Sequence, residues 1–257
     1  MEESNKTSLV TVATAQGPRS YQEDRFVKRH FVLKDNSQCH LLAVMDGHNG
    51  SEAAEFSQKY LSDMPSFDHP DNIEAQLKGL IAHLALKTRE MESGSTISVA
   101  CILEGHMRAS VAILGDSPVI IVDQSGKINV SPEHNVRTNL KERRAAIKRG
   151  GRYSSSGYIS NDRTGYGLQM SRALGDCRMG STITHDPEIY SVTLGPQSFV
   201  IVASDGLLDP SHKNSQELIE KAVDVVKNGG TAHDLLAWAK ARGLEDNATV
   251  LVWKKKK

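Results

Sequence analysis

Cysteine is scarce in this sequence, with three residues of that type among 257, Cys39, Cys101 and Cys177. They are far apart and form no C-x-x-C motif, so the sequence predicts neither a disulfide framework nor a structural zinc site. No apolar stretch is long enough to span a bilayer. The polar start MEESNKTS lacks the basic and apolar regions of a signal peptide. These absences favour an intracellular protein, and we expect it in the cytoplasm, with the nucleus as an alternative.

The chain also lacks an excess of charge of either sign, because Lys plus Arg and Asp plus Glu each total 31. A neutral chain has no overall field that attracts nucleic acid or an anionic membrane, and we expect neither as a partner. The one run of charge is the four lysines at 254–257, which we interpret as a solvated tail.

Seven segments are predicted to be strands, because they are rich in β-branched residues and bounded by turn residues. They are 8–13, 39–45, 96–103, 108–114, 119–122, 199–203 and 249–253. Helical spacing of apolar residues occurs at 51–64, 73–91, 216–227 and from 231 onward. Strands occur in pairs and helices in blocks, which favours an α+β fold with antiparallel sheets and helices packed outside.

No linker and no repeat divides the chain, so we expect one domain over residues 1–257. Residues 149–167 are rich in Gly, Ser and Tyr and have no periodicity. This composition predicts a long surface loop.

Aspartates recur where predicted strands end or begin. The positions are Asp46-Gly47, Asp116, Asp205-Gly206 with Asp209 just beyond, and Asp246-Asn247. Each alone is an ordinary turn residue. If the strands pair in two sheets, however, these ends converge at one edge, and the clustered carboxylates repel one another and acquire raised pKa values. Mg²⁺ or Mn²⁺ would relieve that repulsion, since both prefer oxygen ligands, whereas zinc would call for a His/Cys cluster.

Arg19 precedes the acidic pair Glu23-Asp24 in the segment GPRSYQEDRF. An arginine beside a metal–carboxylate cluster is suited to an anion with tetrahedral oxygens, such as phosphate. Taken alone, Arg19 would be a surface ion-pair former.

With these residues in view, the chain resembles the metal-dependent protein phosphatases of the PP2C type. The matching motifs run in the family's order through nearly the whole sequence: RSYQED, DGHNG, GST at 94–96, GDS at 115–117, SRALGD at 171–176, SDGLLD at 204–209 and EDNATVLV at 245–252. The resemblance implies two packed antiparallel sheets flanked by helices on both sides, an α-β-β-α arrangement. It also implies a variable flap near the active site, at about 140–167.

The resemblance further implies a dinuclear Mg or Mn centre that activates a water nucleophile to hydrolyse phosphoserine and phosphothreonine. Asp46 would bridge two tightly bound ions. The remaining ligands would be Asp205 and Asp246 on one side, and Glu23, Asp24 and the Gly47 carbonyl on the other. Asp116 and Asp209 match positions that hold a weaker third ion together with Asp205.

Three further residues receive roles from the same resemblance. Arg19 would bind the phosphate oxygens and His48 would act as general acid for the leaving alkoxide. Asp176, in the SRALGD motif, would be a hydrogen-bonding support rather than a ligand. The implied partners are phosphoprotein substrates, and we expect a monomer.

The chain departs from the family pattern at Pro118, Asn49, Leu208 and Glu133, but none of these changes removes a metal ligand. Three alternatives stay open. A catalytically weak adaptor would be expected to lose core carboxylates, which this chain keeps. A non-enzymatic Mg²⁺ or Ca²⁺ module would need neither Arg19 nor His48. A small-molecule phosphatase would look nearly the same in sequence.

Overall fold

The secondary structure largely follows the apolar runs of the sequence. The computed structural model describes residues 9–208 and 215–255. Within them the strands are, in chain order, β1 (Leu9–Ala15), β2 (Arg25–Val32), β3 (Gln38–Met45), β4 (Gly47–His48), β5 (Gly94–Ser95), β6 (Ile97–Leu103), β7 (Arg108–Leu114), β8 (Val119–Val122), β9 (Ile128–Val130), β10 (Gly151–Tyr153), β11 (Ile159–Asn161), β12 (Gly167–Leu168), β13 (Leu174–Gly175), β14 (Glu188–Thr193), β15 (Phe199–Ala203) and β16 (Ala248–Lys254). The α-helices in the same ranges are α1 (Glu52–Asp63), α2 (Ile73–Thr88), α3 (Leu140–Lys148), α4 (Ser215–Lys227) and α5 (Ala232–Arg242).

Two antiparallel sheets of five strands each carry most of the core. The first has the strand order β1-β16-β15-β8-β9 and the second β14-β7-β6-β3-β2. The central strands β3, β6, β7, β15 and β16 are buried over nearly their whole length. Both of their faces are covered, which is why their sequences are continuous apolar runs rather than alternations. All seven predicted strands are present, with ends shifted by at most two residues.

Three strands of these sheets were not predicted from the sequence. β2, β9 and β14 lie at sheet edges and are partly exposed along much of their length. β2, for example, contains Lys28 and Arg29 within RFVKRHFV. Edge strands commonly carry charged side chains, so their sequences lack the apolar signal by which the central strands were recognised.

The sheets pack face to face, and helices cover their outer faces. Val44, Ile121 and Trp253 belong to the core between the sheets. α1 and α2 pack on the outer face of the second sheet, with Leu61 and Ile81 in that layer. α4 and α5 cover the first sheet with a separate apolar layer. This arrangement confirms the α+β prediction with its α-β-β-α layers.

The four predicted helices are present as α1, α2, α4 and α5. At the start of α5, the Asp234 carboxylate accepts a hydrogen bond from the Thr231 backbone N–H at 2.8 Å, which is half of a capping box. Ser51 occupies the N-cap position of α1, but its hydroxyl donates to Glu55 instead of capping the helix.

The flap differs from its prediction. α3 comes first, and the chain after it forms the three-stranded antiparallel sheet β10-β11-β12 instead of a long surface loop. A small core of its own supports this unit, with Val136, Ala146, Ile159 and Leu168 buried together. The loop prediction for 149–167 was wrong because strands of two or three residues are too short to show a periodicity.

A second three-stranded sheet, of order β13-β5-β4, joins the flap's C-terminal side to the segment after β3. Its strands are two residues long, and they align His48 with Gly94 and Gly94 with Gly175. In the ranges 9–208 and 215–255, no helix is both long and apolar enough to cross a membrane.

Candidate active site

Four of the predicted aspartates at strand ends line one open cleft of about 270 Å³. Asp46 and Asp116 follow β3 and β7 of the second sheet, whereas Asp205 follows β15 and Asp246 precedes β16 of the first. Because the two sheets pack face to face, these four ends meet at one edge of the sandwich. Glu23 adds a fifth carboxylate to the same wall.

Three other predicted residues line this cleft. They are Arg19, Gly47 and His48. The loop between β1 and β2 contributes Arg19 and Glu23, and β4 contributes Gly47 and His48. The structure therefore brings together eight of the predicted site residues from segments far apart in sequence.

Asp24 lies behind the cleft wall rather than on it. It is buried, and its Oδ2 accepts a hydrogen bond from the Ser204 hydroxyl at 2.7 Å. Its Oδ1 is buried with no hydrogen-bond partner among the described residues. Burial raises the pKa of Asp24 to about 6, against the lowering effect of the Ser204 hydrogen bond. Asp209, the remaining predicted ligand, lies outside the described residues.

Asp46 is at the electrostatic centre of the cluster. Burial raises its pKa well above the usual range, and the charges of Asp24, Asp205, Asp116 and Asp246 raise it further. This is the self-repulsion that the spacing of the aspartates predicted. A set of clustered carboxylates, one of them with an orphaned buried oxygen, matches the ligand chemistry of hard divalent ions. The residues present therefore fit Mg²⁺ or Mn²⁺.

Short contacts between loops hold Asp205 and Asp246 in place. Asp246 Oδ1 accepts a hydrogen bond from the Asn247 backbone N–H at 2.7 Å. The chain at Gly206 passes so close to this loop that a Cβ there would lie 2.0 Å from the Asn247 carbonyl oxygen. Only glycine fits such an approach, which gives the Asp205-Gly206 pair a packing reason beyond its turn propensity.

Arg19 is half-exposed at the cleft and forms an ion pair with Asp246 Oδ2. Its Nε also donates to the Glu245 carbonyl oxygen at 3.4 Å. The guanidinium is thus directed to the acidic cluster, where an anionic ligand would meet it.

His48 lies on β4 and forms a hydrogen bond with a residue from outside the cleft. Its Nε2 lies 2.8 Å from Asp176 Oδ2. Burial lowers the pKa of His48, but the hydrogen bond and charge of Asp176 outweigh burial and raise the pKa overall. The sequence prediction of Asp176 as a hydrogen-bonding support is consistent with this contact.

A second group of possible metal ligands lies below the flap, formed by His134, Glu142 and Glu188. Arg172 already forms ion pairs with both carboxylates, with Nη2 2.7 Å from Glu142 Oε1 and 3.3 Å from Glu188 Oε1. His134 Nδ1 accepts the Gly115 backbone N–H at 3.0 Å. The neutral ring therefore carries its proton on Nε2 and has no lone pair there for a metal. We interpret this group as a structural ion network.

Residues 9–248 match the protein family described as protein phosphatase 2C. The chain belongs to this family. The probable protein phosphatase 2C 59 of Oryza sativa subsp. japonica is 32% identical over 93% of this chain and 73% of the rice protein. A protein kinase and PP2C-like domain-containing protein of Arabidopsis thaliana is 30% identical over 95% of this chain. The chain spans 39% of the length of that plant protein.

Solved PP2C structures share the fold. A serine-threonine phosphatase 2C from Toxoplasma gondii matches with a TM-score of 0.69 and 20% identity, over 97% of this chain and 95% of the other. The catalytic domain of the serine threonine protein phosphatase PstP, in complex with 2 manganese ions, matches with a TM-score of 0.59 and 19% identity, over 96% and 97% of the two chains. The family resemblance inferred from the motifs is confirmed. PP2C proteins are serine/threonine phosphatases, and membership implies metal binding.

Several residues of this PP2C cleft were not predicted from the sequence. Asn247 accepts the Glu23 backbone N–H at Oδ1 and donates from Nδ2 to the Gln16 and Tyr21 carbonyls, and so fixes the loop between β1 and β2. The only sequence signal for it was its place after Asp246. The flap adds Tyr158, Leu168, Gln169 and Met170 to the cleft wall. The family resemblance implied a flap near the active site at about 140–167, but it singled out none of these four residues.

Proposed function

We propose that this PP2C chain is a metal-dependent protein serine/threonine phosphatase that hydrolyses phosphoserine and phosphothreonine monoesters. The observation that carries the proposal is the convergence of five carboxylates on one cleft that also contains Arg19 and His48. The carboxylates suit divalent cations, the arginine suits a phosphate group, and the histidine suits proton transfer. We further infer that the chain acts as one catalytic domain, which the sequence predicted over residues 1–257.

In this proposal the carboxylates hold a dinuclear Mg²⁺ or Mn²⁺ centre. Asp46 would serve as a ligand to both ions. Asp205 and Asp246 would complete the set on one side, and Glu23, Asp24 and the Gly47 carbonyl would do so on the other. When bound, two such cations lower the pKa of a shared water and supply a nucleophile near neutral pH. The raised pKa of Asp46 and the orphaned oxygen of Asp24 support this assignment.

Asp116 is proposed to hold a weaker third ion together with Asp205. Its neighbour Asn135 donates a hydrogen bond to Asp116 Oδ2 and so directs the carboxylate. Asp209 stays a predicted ligand of the same ion, since it lies outside the described residues.

Two side chains of the cleft act on the substrate. Arg19 binds and orients the phosphoryl oxygens through its planar set of N–H donors. His48 gives a proton to the serine or threonine oxygen as the P–O bond breaks, because an alkoxide is a poor leaving group. Protonation of His48 is favoured by the nearby Asp176 carboxylate.

The open cleft supports phosphoproteins as the substrate class. The exposed side chain of Tyr158 and the partly buried side chains of Gln169 and Met170 extend the wall beyond the carboxylates. Such a wall offers contact surface to a peptide on either side of the phosphorylated residue. The alternative of an adaptor is disfavoured because the carboxylates and Arg19 and His48 are all present. A monomer in the cytoplasm stays a prediction.

The test is a phosphopeptide panel assayed with Mn²⁺, with Mg²⁺ and in excess chelator, with Asp46→Asn as the inactive control. We expect turnover of phosphoserine and phosphothreonine peptides that requires metal. Full activity in chelator would exclude the metal-dependent mechanism. Hydrolysis of small phosphate monoesters without any phosphopeptide turnover would favour the small-molecule phosphatase. An equally low rate of phosphate release from every substrate in the wild type and in Asp46→Asn would favour the adaptor.

A further inference from the structure

His48 and Asp176 form a hydrogen-bonded pair across a strand of the small β13-β5-β4 sheet. His48 Nε2 and Asp176 Oδ2 are 2.8 Å apart. The Asp176 side chain is fully buried, whereas 21% of the His48 side chain is exposed, toward the cleft that it lines. A hydrogen bond to a buried carboxylate is charge-assisted and directional, so it restricts the rotation of the imidazole ring.

Gly94 on the central strand makes this pair possible. His48 and Gly175 are its neighbours on the two flanking strands. A Cβ at position 94 would lie 2.1 Å from Asp176 Oδ2 and 2.2 Å from His48 Nε2. The two side chains therefore meet in the space that the missing side chain of Gly94 leaves open.

Packing alone does not explain why a carboxylate is buried at position 176. Its Oδ1 is buried and has no hydrogen-bond partner among the described residues. Its backbone adopts the left-handed conformation, with φ of 52°. A buried carboxylate with an unsatisfied oxygen costs folding free energy. A function that requires the contact with His48 would explain why that cost is tolerated.

The flap is fastened to the residues that directly follow Asp176. In the turn between β11 and β12, the Thr164 hydroxyl donates to the Arg178 carbonyl oxygen at 2.9 Å. Asn161 Nδ2 donates to the Met179 carbonyl oxygen, also at 2.9 Å. The Arg178 guanidinium in turn lies over the Tyr166 ring, 4.9 Å from its centre. These contacts hold the segment that sets the position of Asp176.

Tyr166 itself lies close to Asp176. Burial, and then the negative charge of Asp176, raise the pKa of Tyr166 to about 12. The partly buried ring of Tyr166 is thus a neighbour of the fully buried Asp176 carboxylate. A charge-assisted hydrogen bond is stronger in such a buried environment than in water.

We propose that Asp176 is a positioning residue that holds His48 toward the scissile P–O bond, and that the flap turn at 161–166 keeps Asp176 in place. The proposal rests on the proposed function, in which His48 protonates the leaving group. It assigns to the flap a part in the chemistry of the reaction, in addition to the contact surface proposed for a substrate peptide.

The first test compares two leaving groups in Asp176→Asn. Asparagine fits the left-handed backbone and has nearly the same shape, so the fold should be retained. If Asp176 acts through His48, turnover of a phosphopeptide falls by about 10²-fold, the lower end of what positioned proton transfer contributes. Turnover of nitrophenyl phosphate, whose leaving group needs little protonation, falls far less, and KM stays unchanged for both. Equal losses on the two substrates would overturn the proposal.

The second test is an NMR measurement that requires neither bound metal nor enzymatic activity. A hydrogen-bonded imidazole N–H gives a downfield proton resonance, which in the metal-free protein is assigned to His48 by its loss in His48→Gln. We expect this resonance to move upfield in Asp176→Asn, because a neutral amide oxygen is a weaker acceptor than a carboxylate. It should disappear in Gly94→Ala, which removes neither partner but fills the space between them. An unchanged resonance in both variants would overturn the pairing.

The flap's part is tested with two neighbouring substitutions. Asn161→Ala removes the hydrogen bonds to the segment after Asp176, whereas Ser160→Ala removes one that stays inside the flap, to the Arg152 carbonyl. We expect a selective loss of phosphopeptide turnover and a weakened His48 resonance in Asn161→Ala alone. Identical behaviour of the two variants would overturn the flap's role. A wild-type protein inactive on both substrates would overturn the proposed function, while the resonance would still report on the pair.

Discussion

Asn135 donates a hydrogen bond from Nδ2 to Asp116 Oδ2 at 2.8 Å, and both residues are buried. The amide cannot rotate freely, because its Oδ1 accepts the Arg137 backbone N–H at 2.9 Å. The direction of the Asp116 carboxylate is thus fixed by a residue 19 positions away in sequence. Side chains that orient a metal ligand affect metal affinity without touching the ion.

Asp116→Ala should leave the tight metal pair bound and raise the metal concentration needed for turnover. Asn135→Ala should act in the same direction, by about tenfold, since the carboxylate is kept but no longer held. Titration of activity with Mn²⁺, together with calorimetry, measures both effects. Asn129→Ala is the control, because that amide bonds to Asp123 in a turn. Loss of the tight sites in Asp116→Ala would assign Asp116 to the core pair.

Asp46→Asn should abolish turnover without destabilising the metal-free protein. The substitution removes a charge that burial and four neighbouring carboxylates disfavour. We therefore expect the unfolding temperature in chelator to be unchanged or higher, by about 2–4 °C for each kcal/mol of repulsion relieved. Asp63→Asn, at the exposed end of α1, is the matched control for removal of one charge. A clear drop in unfolding temperature for Asp46→Asn alone would argue against a repulsive cluster.

Arg19→Ala should raise KM and weaken inhibition by inorganic phosphate. A charge-assisted hydrogen bond contributes about 1.5–3 kcal/mol, which corresponds to roughly a 10- to 150-fold change. Metal affinity should not fall, because the substitution frees Asp246 from its ion pair with Arg19. Arg19→Lys separates charge from geometry, since lysine keeps the charge but lacks the planar fork. Unaltered phosphate inhibition in Arg19→Ala would reduce Arg19 to an ion-pair partner of Asp246.

Acid should destabilise the protein partly through His134. Burial, and then the charge of Arg172, lower the pKa of His134 to about 4, below its value in the unfolded chain. The unfolded state then binds more protons than the folded state between about pH 6.5 and pH 4, so stability falls as the pH falls through that window. The contribution of His134 amounts to ~3 kcal/mol. Denaturant unfolding at several pH values should give a flatter slope for His134→Gln than for the exposed His233→Gln. Equal slopes would contradict this role.

The sequence by itself determined the central strands, four helices and the identities of the cleft carboxylates. Strands such as β3 and β15 are buried on both faces, and burial forces a continuous apolar run that is visible without coordinates. Asp46 and Asp205 end such runs, so their places at the sheet edge followed from the strands themselves. The family motifs then supplied the roles proposed for them.

Only the tertiary structure decided what surrounds these residues. The edge strand β2 and the short strands of the flap have little local signal, because their stability comes from pairing with segments distant in sequence. The same is true of the contact between His48 and Asp176, which are 128 residues apart and meet only because Gly94 leaves space between them. Spacing along the chain can place a side chain at the end of a strand. Which partner then orients that side chain depends on long-range packing, which spacing does not encode.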